Sequence, residues 1–208
     1  MANFLALDTS GSYLTVVACK DGQYYTVFLP DCAMKHSVSV MPAVDEALKN
    51  ADMRLSECDF FSAVVGAGSF TGIRIGISVV KGFCLAYNKP SIPVTSFDCM
   101  AYNRVDSGKT LCLIDALHGA YYACGYENGE VIYPPAYLTE EEVLALKEQG
   151  YALCACGKLP LADRAEVEIL DPCAGLKNAV LARFKQGAFG ELNALYVRKS
   201  SAELNAGK

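Results

Sequence analysis

No stretch of this 208-residue chain runs longer than 14 residues without Asp, Glu, Lys or Arg, and that longest one, Phe60 to Ile73, contains three glycines. A membrane-spanning helix needs about 20 apolar residues, so no span is expected. No cationic n-region is visible, since the first lysine is Lys20, and no secretory signal is expected. Basic charge is in deficit: 18 Lys and Arg stand against 23 Asp and Glu, a net charge of -5. A protein that holds nucleic acid unaided needs a basic face to displace counterions, and the only local basic cluster is Arg198-Lys199. Any contact with RNA is therefore expected through a partner. Histidine is scarcer still. His36 and His118 are the only two, 82 residues apart, so there is no H-x-x-x-H or H-E-x-x-H to put two ligands on one helix face. No metal site and no metallopeptidase chemistry are expected.

C-x-x-C is missing as well, although cysteine is plentiful at 10 residues. The closest pair, Cys154-x-Cys156, lies in an alternating apolar segment, and Cys19, Cys84, Cys112 and Cys124 sit among Val, Leu, Ala and Tyr. Such cysteines read as small buried hydrophobes, kept reduced in a cytoplasmic setting. A composition of 52% hydrophobic and 20% charged residues excludes general disorder.

The chain is organised as an approximate repeat. Phe4 to Leu7 is a short apolar run ending at Asp8; a polar corner, Thr9 to Ser12, leads into a strand over 13–19, the hairpin signal Asp21-Gly22 and a strand over 23–29. An amphipathic helix over 37–51, a strand over 61–65, a helix over 71–88, a strand over 91–95 and a short helix over 97–103 follow. The pattern then restarts. Leu111 to Ile114 ends at Asp115, a corner over 116–119 leads to a strand over 120–126, and Asn128-Gly129 turns into a strand over 131–133. Asp8 and Asp115, like Gly22 and Gly129, are separated by one offset of 107 residues. Thr139 with Glu142 forms a capping box for a helix reaching Gln149, followed by a strand over 151–155 and a helix over 176–185. A βββαβα unit used twice resembles the actin-like, Hsp70-like ATPase superfamily of duplicated ribonuclease-H-like halves. It implies an α/β fold with an N-terminal half over 1–107 and a C-terminal half over 108–208.

Between the strand over 61–65 and the helix over 71–88 stands Gly66-Ala-Gly-Ser-Phe-Thr-Gly72-Ile-Arg-Ile-Gly76. It is a glycine-rich strand-to-helix corner whose backbone N–H groups could bind an anion at a helix start. Neither the Walker A lysine nor the dinucleotide spacing is present. A tight structural corner and a phosphate cradle both fit the residues. The whole string, however, closely resembles the Gly-Pro-Gly-Ser-Phe-Thr-Gly-Leu-Arg-Ile-Gly signature of the TsaB (YeaZ) family, with Ala67 replacing the proline. Leu5-Ala-Leu-Asp-Thr-Ser10, His36-Ser37, Lys81-Gly82, the segment Asp115 to Tyr122 and Tyr196-Val-Arg198 carry further resemblance, which covers most of 1–125 and thins beyond.

The resemblance implies a non-catalytic subunit in the making of threonylcarbamoyladenosine beside the anticodon of tRNAs reading A-starting codons. It implies a catalytic paralog of the TsaD type and a small P-loop ATPase of the TsaE type as partners. ATP and a metal would sit on those partners, and no cofactor would be required by this chain. A homodimer is expected when the chain is alone, and tRNA contact only through the complex. Asp8 and Asp115 stand where active ATPases of the superfamily place Mg- or phosphate-directed carboxylates. Asp8, Thr9 and Ser10 with Gly68, Ser69 and Thr71 are therefore a possible phosphate corner, and an independent small-molecule kinase or ATPase is the alternative function. An aspartate closing an apolar strand also satisfies the next turn's N–H groups without any ligand. No residue is expected to be catalytic.

The helix over 71–88 gives the sequence-level argument for a partner. Arg74, Ser78, Lys81 and Leu85 fall on a narrow stripe, and apolar residues fill an arc of roughly 200°, where one core needs a stripe of about 100°. The surplus must be covered by something, a partner or the chain's own domain. Gly72 and Gly76, one turn apart, allow close approach. Met41, Val44 and Leu48 on the preceding helix, with Gly72, Gly76, Val79 and Phe83, are the expected contact residues.

Overall fold

A computed structural model describes residues 2–104, 108–163 and 165–198, with residues 162 and 163 described by their backbone alone. The expected boundary at 107 and the basic residue Lys199 lie outside the described residues. Strands β1 (Phe4–Asp8), β2 (Leu14–Lys20), β3 (Gln23–Leu29), β4 (Phe60–Val64) and β5 (Ser91–Val94) form one sheet in the order β3-β2-β1-β4-β5. Strands β6 (Thr110–Asp115), β7 (Ala120–Glu127), β8 (Glu130–Thr139), β9 (Ala152–Ala155) and β10 (Val167–Ile169) form a second, in the order β10-β9-β6-β7-β8. The two orders are the same when β6 is set on β1. In both sheets the first three strands pair antiparallel and the last two add in parallel. The fold is the duplicated, actin-like α/β layout that the repeat implied.

Local chemistry accounts for the elements. β1 and β4 are apolar except for Asp8 and Ser62 and are buried along their whole length, as central strands must be. Asp21-Gly22 and Asn128-Gly129 each take two successive positive φ angles, 52° and 82° in the first and 54° and 81° in the second, which is the twist a two-residue hairpin requires. Among the described residues five α-helices surround the sheets: α1 (His36–Asn50), α2 (Phe70–Tyr87), α3 (Ser96–Ala101), α4 (Glu140–Glu148) and α5 (Pro172–Lys185). Ser69 caps α2 through its hydroxyl, left-handed Asn88 ends it, and Thr139 with Glu142 closes the expected box on α4.

The second half departs from a strict repeat. Among the described residues between β9 and β10 there is one 3-10 turn, Pro160–Asp163, where the first half has the 18-residue α2. β10 has three residues, and α5 begins four residues before the expected start because Asp171 caps it with Pro172 in its first turn. β8 runs through Pro134 and Pro135 to Thr139 rather than stopping at Tyr133, since an edge strand tolerates a missing N–H.

The layers run α1 and α2, first sheet, α3 and α5, second sheet, α4. Leu5, Leu7, Val16 and Phe61 point towards α1 and α2; Phe4, Val17, Phe60 and Ile92 point the other way, onto Leu176, Ala179 and Val180 of α5. α3 fills the middle with Phe97 and Met100 against Cys112, Cys124 and Cys154 of the second sheet. α3 and α5 cross closely, since a Cβ on Gly175 would come within 2.5 Å of the Cys99 carbonyl oxygen. The Asp98 carboxylate, buried there, accepts from Arg183 of α5 at 2.8 Å, Tyr126 of β7 at 3.0 Å and the Thr95 N–H at 2.8 Å. One acidic group thus ties two helices to the second sheet.

α2 is the longest of these helices. With 18 residues and a mean hydropathy of 1.3 it is long and apolar enough to cross a membrane by composition alone. Here its inner side, Ile73, Ile77, Val80 and Phe83, packs onto β4 and its neighbours, while Ile75 and Val79 are half-buried and Gly82, Leu85 and Ala86 are exposed. The apolar surplus inferred from the sequence therefore faces outward.

Candidate functional site

Five of the six residues of the possible phosphate corner, Asp8, Thr9, Ser10, Gly68 and Ser69, come together and contact the chain's own backbone or one another, while Thr71 is exposed on the first turn of α2. The Ser69 N–H donates to the Ser10 carbonyl at 2.7 Å, and the Thr9 hydroxyl donates to the Gly72 carbonyl at 2.7 Å. The Ser10 N–H and hydroxyl both donate to Asp8 Oδ1, at 2.8 and 2.6 Å. Ser96 completes the net: its N–H donates to the Gly66 carbonyl at 2.7 Å, its hydroxyl to the Ala67 carbonyl at 2.6 Å, and it lies 3.0 Å from the Ser10 hydroxyl. The glycines serve close approach of two backbones. A Cβ on Gly68 would fall on the Ser10 carbonyl oxygen, and one on Gly72 on that of Thr9. Ala67, in the place of the family proline, is buried among Phe97, Met100 and Cys112, and its carbonyl serves Ser96.

The electrostatics of the corner also disfavour a phosphate. Asp8 is 1% exposed, and burial raises its carboxyl above the usual range, partly offset by the Ser10 donors. The Tyr13 ring folds onto Gly11, whose Cβ would lie 2.8 Å from it, and packs 5.8 Å from Phe28. Burial, then the nearby Asp8 carboxylate, pushes the Tyr13 phenol well up. The space in front of Asp8 thus holds a neutral tyrosine. Asp115 is unlike Asp8 in being exposed, yet it makes the same contact two residues on, accepting from the Leu117 N–H at 2.7 Å. In both halves the aspartate closes its own turn.

His36 and His118 remain apart. His36 is buried at the start of α1 and its Nε2 donates to the Tyr13 carbonyl at 2.9 Å; His118 is exposed in the corner after β6. No group of three metal-ligating side chains occurs among the described residues. All ten cysteines are free, seven of them buried. Burial pushes the Cys58, Cys124 and Cys156 thiols up to about 12, so none of these three is a ready thiolate.

The residues expected at a partner interface divide. Met41 is exposed and Val79 half-buried, whereas Val44, Leu48, Gly72, Gly76 and Phe83 lie inside the chain's own core. Phe83 is 9% exposed and packs on Phe61 at a centroid distance of 5.5 Å. Gly76 takes its place for a local reason, because a Cβ there would meet the Thr9 hydroxyl at 2.5 Å. The outward surface instead consists of Val38 and Met41 on α1 and Ile75, Val79, Gly82 and Leu85 on α2, with Leu85 85% exposed. Arg74 and Lys81 flank it on α2, and Asp45 and Glu46 on α1.

Sequence reasoning missed the role of residues 190–198. The Gly190 N–H donates to the Ser91 carbonyl at 2.9 Å and the Leu195 N–H to that of Val65 at 2.7 Å, so the segment lies along the first sheet. Tyr196 stacks on Phe70 at 5.0 Å and accepts from Arg74 Nε at 2.9 Å; Arg198 lies over the Tyr137 ring of β8 at 4.7 Å. The faint Tyr196-Val-Arg198 resemblance was the only signal of it.

Comparison with known proteins agrees on one family. The family model described as "TsaD: tRNA N6-adenosine threonylcarbamoyltransferase" matches residues 23–199. The tRNA threonylcarbamoyladenosine biosynthesis protein TsaB of Escherichia coli (strain K12) is 30% identical over 129 residues, 61% of this chain and 55% of that protein. Its counterpart in Bacillus subtilis (strain 168) is 30% identical over 128 residues, 60% of this chain and 56% of that one. The chain spans about half the length of the curated relatives it matches. A Pseudomonas aeruginosa crystal structure, described as an uncharacterized protein similar to peptidase YeaZ, superposes with a TM-score of 0.79 at 24% identity, covering 95% of this chain and 100% of that one. At that identity the likeness shows the shared fold.

Proposed function

The chain belongs to the tRNA N6-adenosine threonylcarbamoyltransferase family, in its TsaB (YeaZ) branch, and from that membership we propose that it is a non-catalytic subunit in the synthesis of threonylcarbamoyladenosine in tRNA. It docks beside a catalytic paralog of the TsaD type and activates it. The observation that carries this reading is the outward apolar face of α1 and α2. Val38, Met41, Ile75, Val79 and Leu85 present to water a surface that a free monomer would have no reason to keep apolar on an 18-residue helix. Gly82 in its middle has no atom within 4 Å of a Cβ position, which leaves a flat strip for another helix.

The corner supports the non-catalytic half of the reading. The hydroxyls of Thr9, Ser10 and Ser96 and the Ser69 N–H are bonded within the chain, its carboxylate is buried, and Tyr13 stands in front of it. An independent kinase or ATPase would need those groups free for nucleotide. ATP and metal accordingly belong to the partners, including a small P-loop ATPase of the TsaE type, and tRNA is met through the complex. The same face serves a homodimer when the paralog is absent, since basic Arg74 and Lys81 on α2 complement acidic Asp45 and Glu46 on α1. Ten free cysteines suit a reducing cytoplasm.

The test is association of the full chain with the TsaD-type protein of the same cell, by co-purification and calorimetry. Leu85→Asp is expected to abolish the complex while the melting temperature of the free chain stays within a few degrees. A complex that survives this substitution unchanged sinks the docking face. Magnesium-dependent ATP hydrolysis by the isolated chain would support the kinase reading instead.

A further inference from the structure

Residues 190–198 do more than end the chain. Leu192 is buried in the core under α1 and α2, the Leu195 N–H is bonded to the Val65 carbonyl, and Leu195 and Val197 pack into the cluster of Cys112, Cys124 and Cys154 on the second sheet. Between them Tyr196 turns back to the first half, and Arg198 reaches Tyr137 of the second. The segment is a strap across the mouth between the two sheets.

Where the strap meets α2 it builds a rigid aromatic patch. The Arg74 guanidinium lies 3.7 Å over the Phe70 ring and its Nε donates to the Tyr196 hydroxyl, while both rings stay exposed, Phe70 at 39% and Tyr196 at 41%. Among the described residues no carboxylate pairs with Arg74, a charge held in place yet unmatched. Phe70, Arg74 and Ser78 follow at i, i+4 and i+8 on one flank of α2, so the patch is continuous with the outward face of that helix. Stacked aromatics beside an arginine are the side chains that most often dominate protein interfaces, because they bury much area at small entropic cost.

We infer that the strap is a second part of the docking surface: the subunit that covers α2 also covers Tyr196 and sets a carboxylate against Arg74, and so holds the two halves of this chain at one setting. This rests on the docking reading above. Its physical content is a linkage, since a partner that grips Tyr196 loads the same segment that joins Val65 to the second sheet.

The experiment uses the full chain and the TsaD-type protein. Tyr196→Ala and Arg74→Glu are each expected to weaken the complex at least about tenfold. Exchange of the Leu195 amide is expected to slow by about the same factor when the partner binds. Because Arg74 also bonds Tyr196, the Leu195 amide is first compared between each free variant and the unmodified free chain, and a variant that leaves its exchange unchanged reports binding alone. If Leu85→Asp abolishes association while both of these variants bind like the unmodified chain, and Leu195 exchanges equally with and without partner, the strap inference is overturned and the docking reading stands. If the unmodified chain does not bind at all, both fall.

Discussion

Two residues two positions apart on one helix separate core from surface. Phe83 and Leu85 are both apolar residues of α2, but Phe83 packs on Phe61 and Leu85 is open to solvent. Phe83→Ala is therefore expected to cost about 3 kcal/mol or more in urea unfolding of the free chain, from lost burial and the cavity left behind. Leu85→Asp is expected to stay within about 0.5 kcal/mol of the unmodified chain. Asp8 makes a different prediction. Burial raises its carboxyl in the folded state, so the folded chain binds that proton more readily than the unfolded one. Its ionisation then subtracts stability as the pH rises through the raised value, and nothing is subtracted below the unfolded value. Asp8→Asn keeps an oxygen for the two Ser10 donors and can donate to the Tyr13 hydroxyl. It is expected to unfold at the same or higher urea concentration at pH 7, with the difference shrinking as the pH falls below 4 or so. Lower stability at pH 7 would mean that the charged carboxylate is needed.

At the scale of elements, α2 is where stability and association pull apart. Gly82 lies in the helix interior with open space around a Cβ position. Gly82→Ala is expected to stabilise the free chain by about 0.5–1 kcal/mol, because alanine loses less backbone entropy in a helix. The same methyl stands on the proposed docking strip and is expected to weaken binding, so melting temperature and affinity should move in opposite directions. The strands, hairpins and long helices that make this argument possible were legible in the sequence because each has local chemistry: an apolar run, an Asx-Gly pair, a cap, a period of 3.6. The apolar excess on α2 was legible for the same reason. Which of its residues face outward was not, since an arc of roughly 200° has two edges and only the tertiary position of β4 chooses between them. Hence Phe83 and Val44 read as contacts and Leu85 as part of a polar stripe. β10 and the strap carried too few residues, or too little periodicity, to announce themselves.

For the whole molecule, the repeat offset made the two sheets legible, and the hidden part was how they are held together. That depends on groups far apart in sequence: Asp98 with Arg183 and Tyr126, Ser96 with the Gly66 corner, and Leu195 with Val65. None of these has a local signature. The Asp98 site shows how much the arrangement rests on them. Its carboxylate is 1% exposed and the Arg183 side chain 31%, so removing the arginine leaves a buried acid with two remaining donors, at a cost moderated by water reaching the vacated side. Arg183→Ala is expected to lower stability by about 2 kcal/mol. The loss should not be spread evenly. β1 and β4 keep their own core on the α1 and α2 side, whereas α3, α5 and β7 meet at the missing contact. Amide exchange is therefore expected to rise first in α3 and β7, with β1 and β4 protected until global unfolding. A uniform rise across both sheets would show that the halves open as one unit and that Asp98 is not the tie between them.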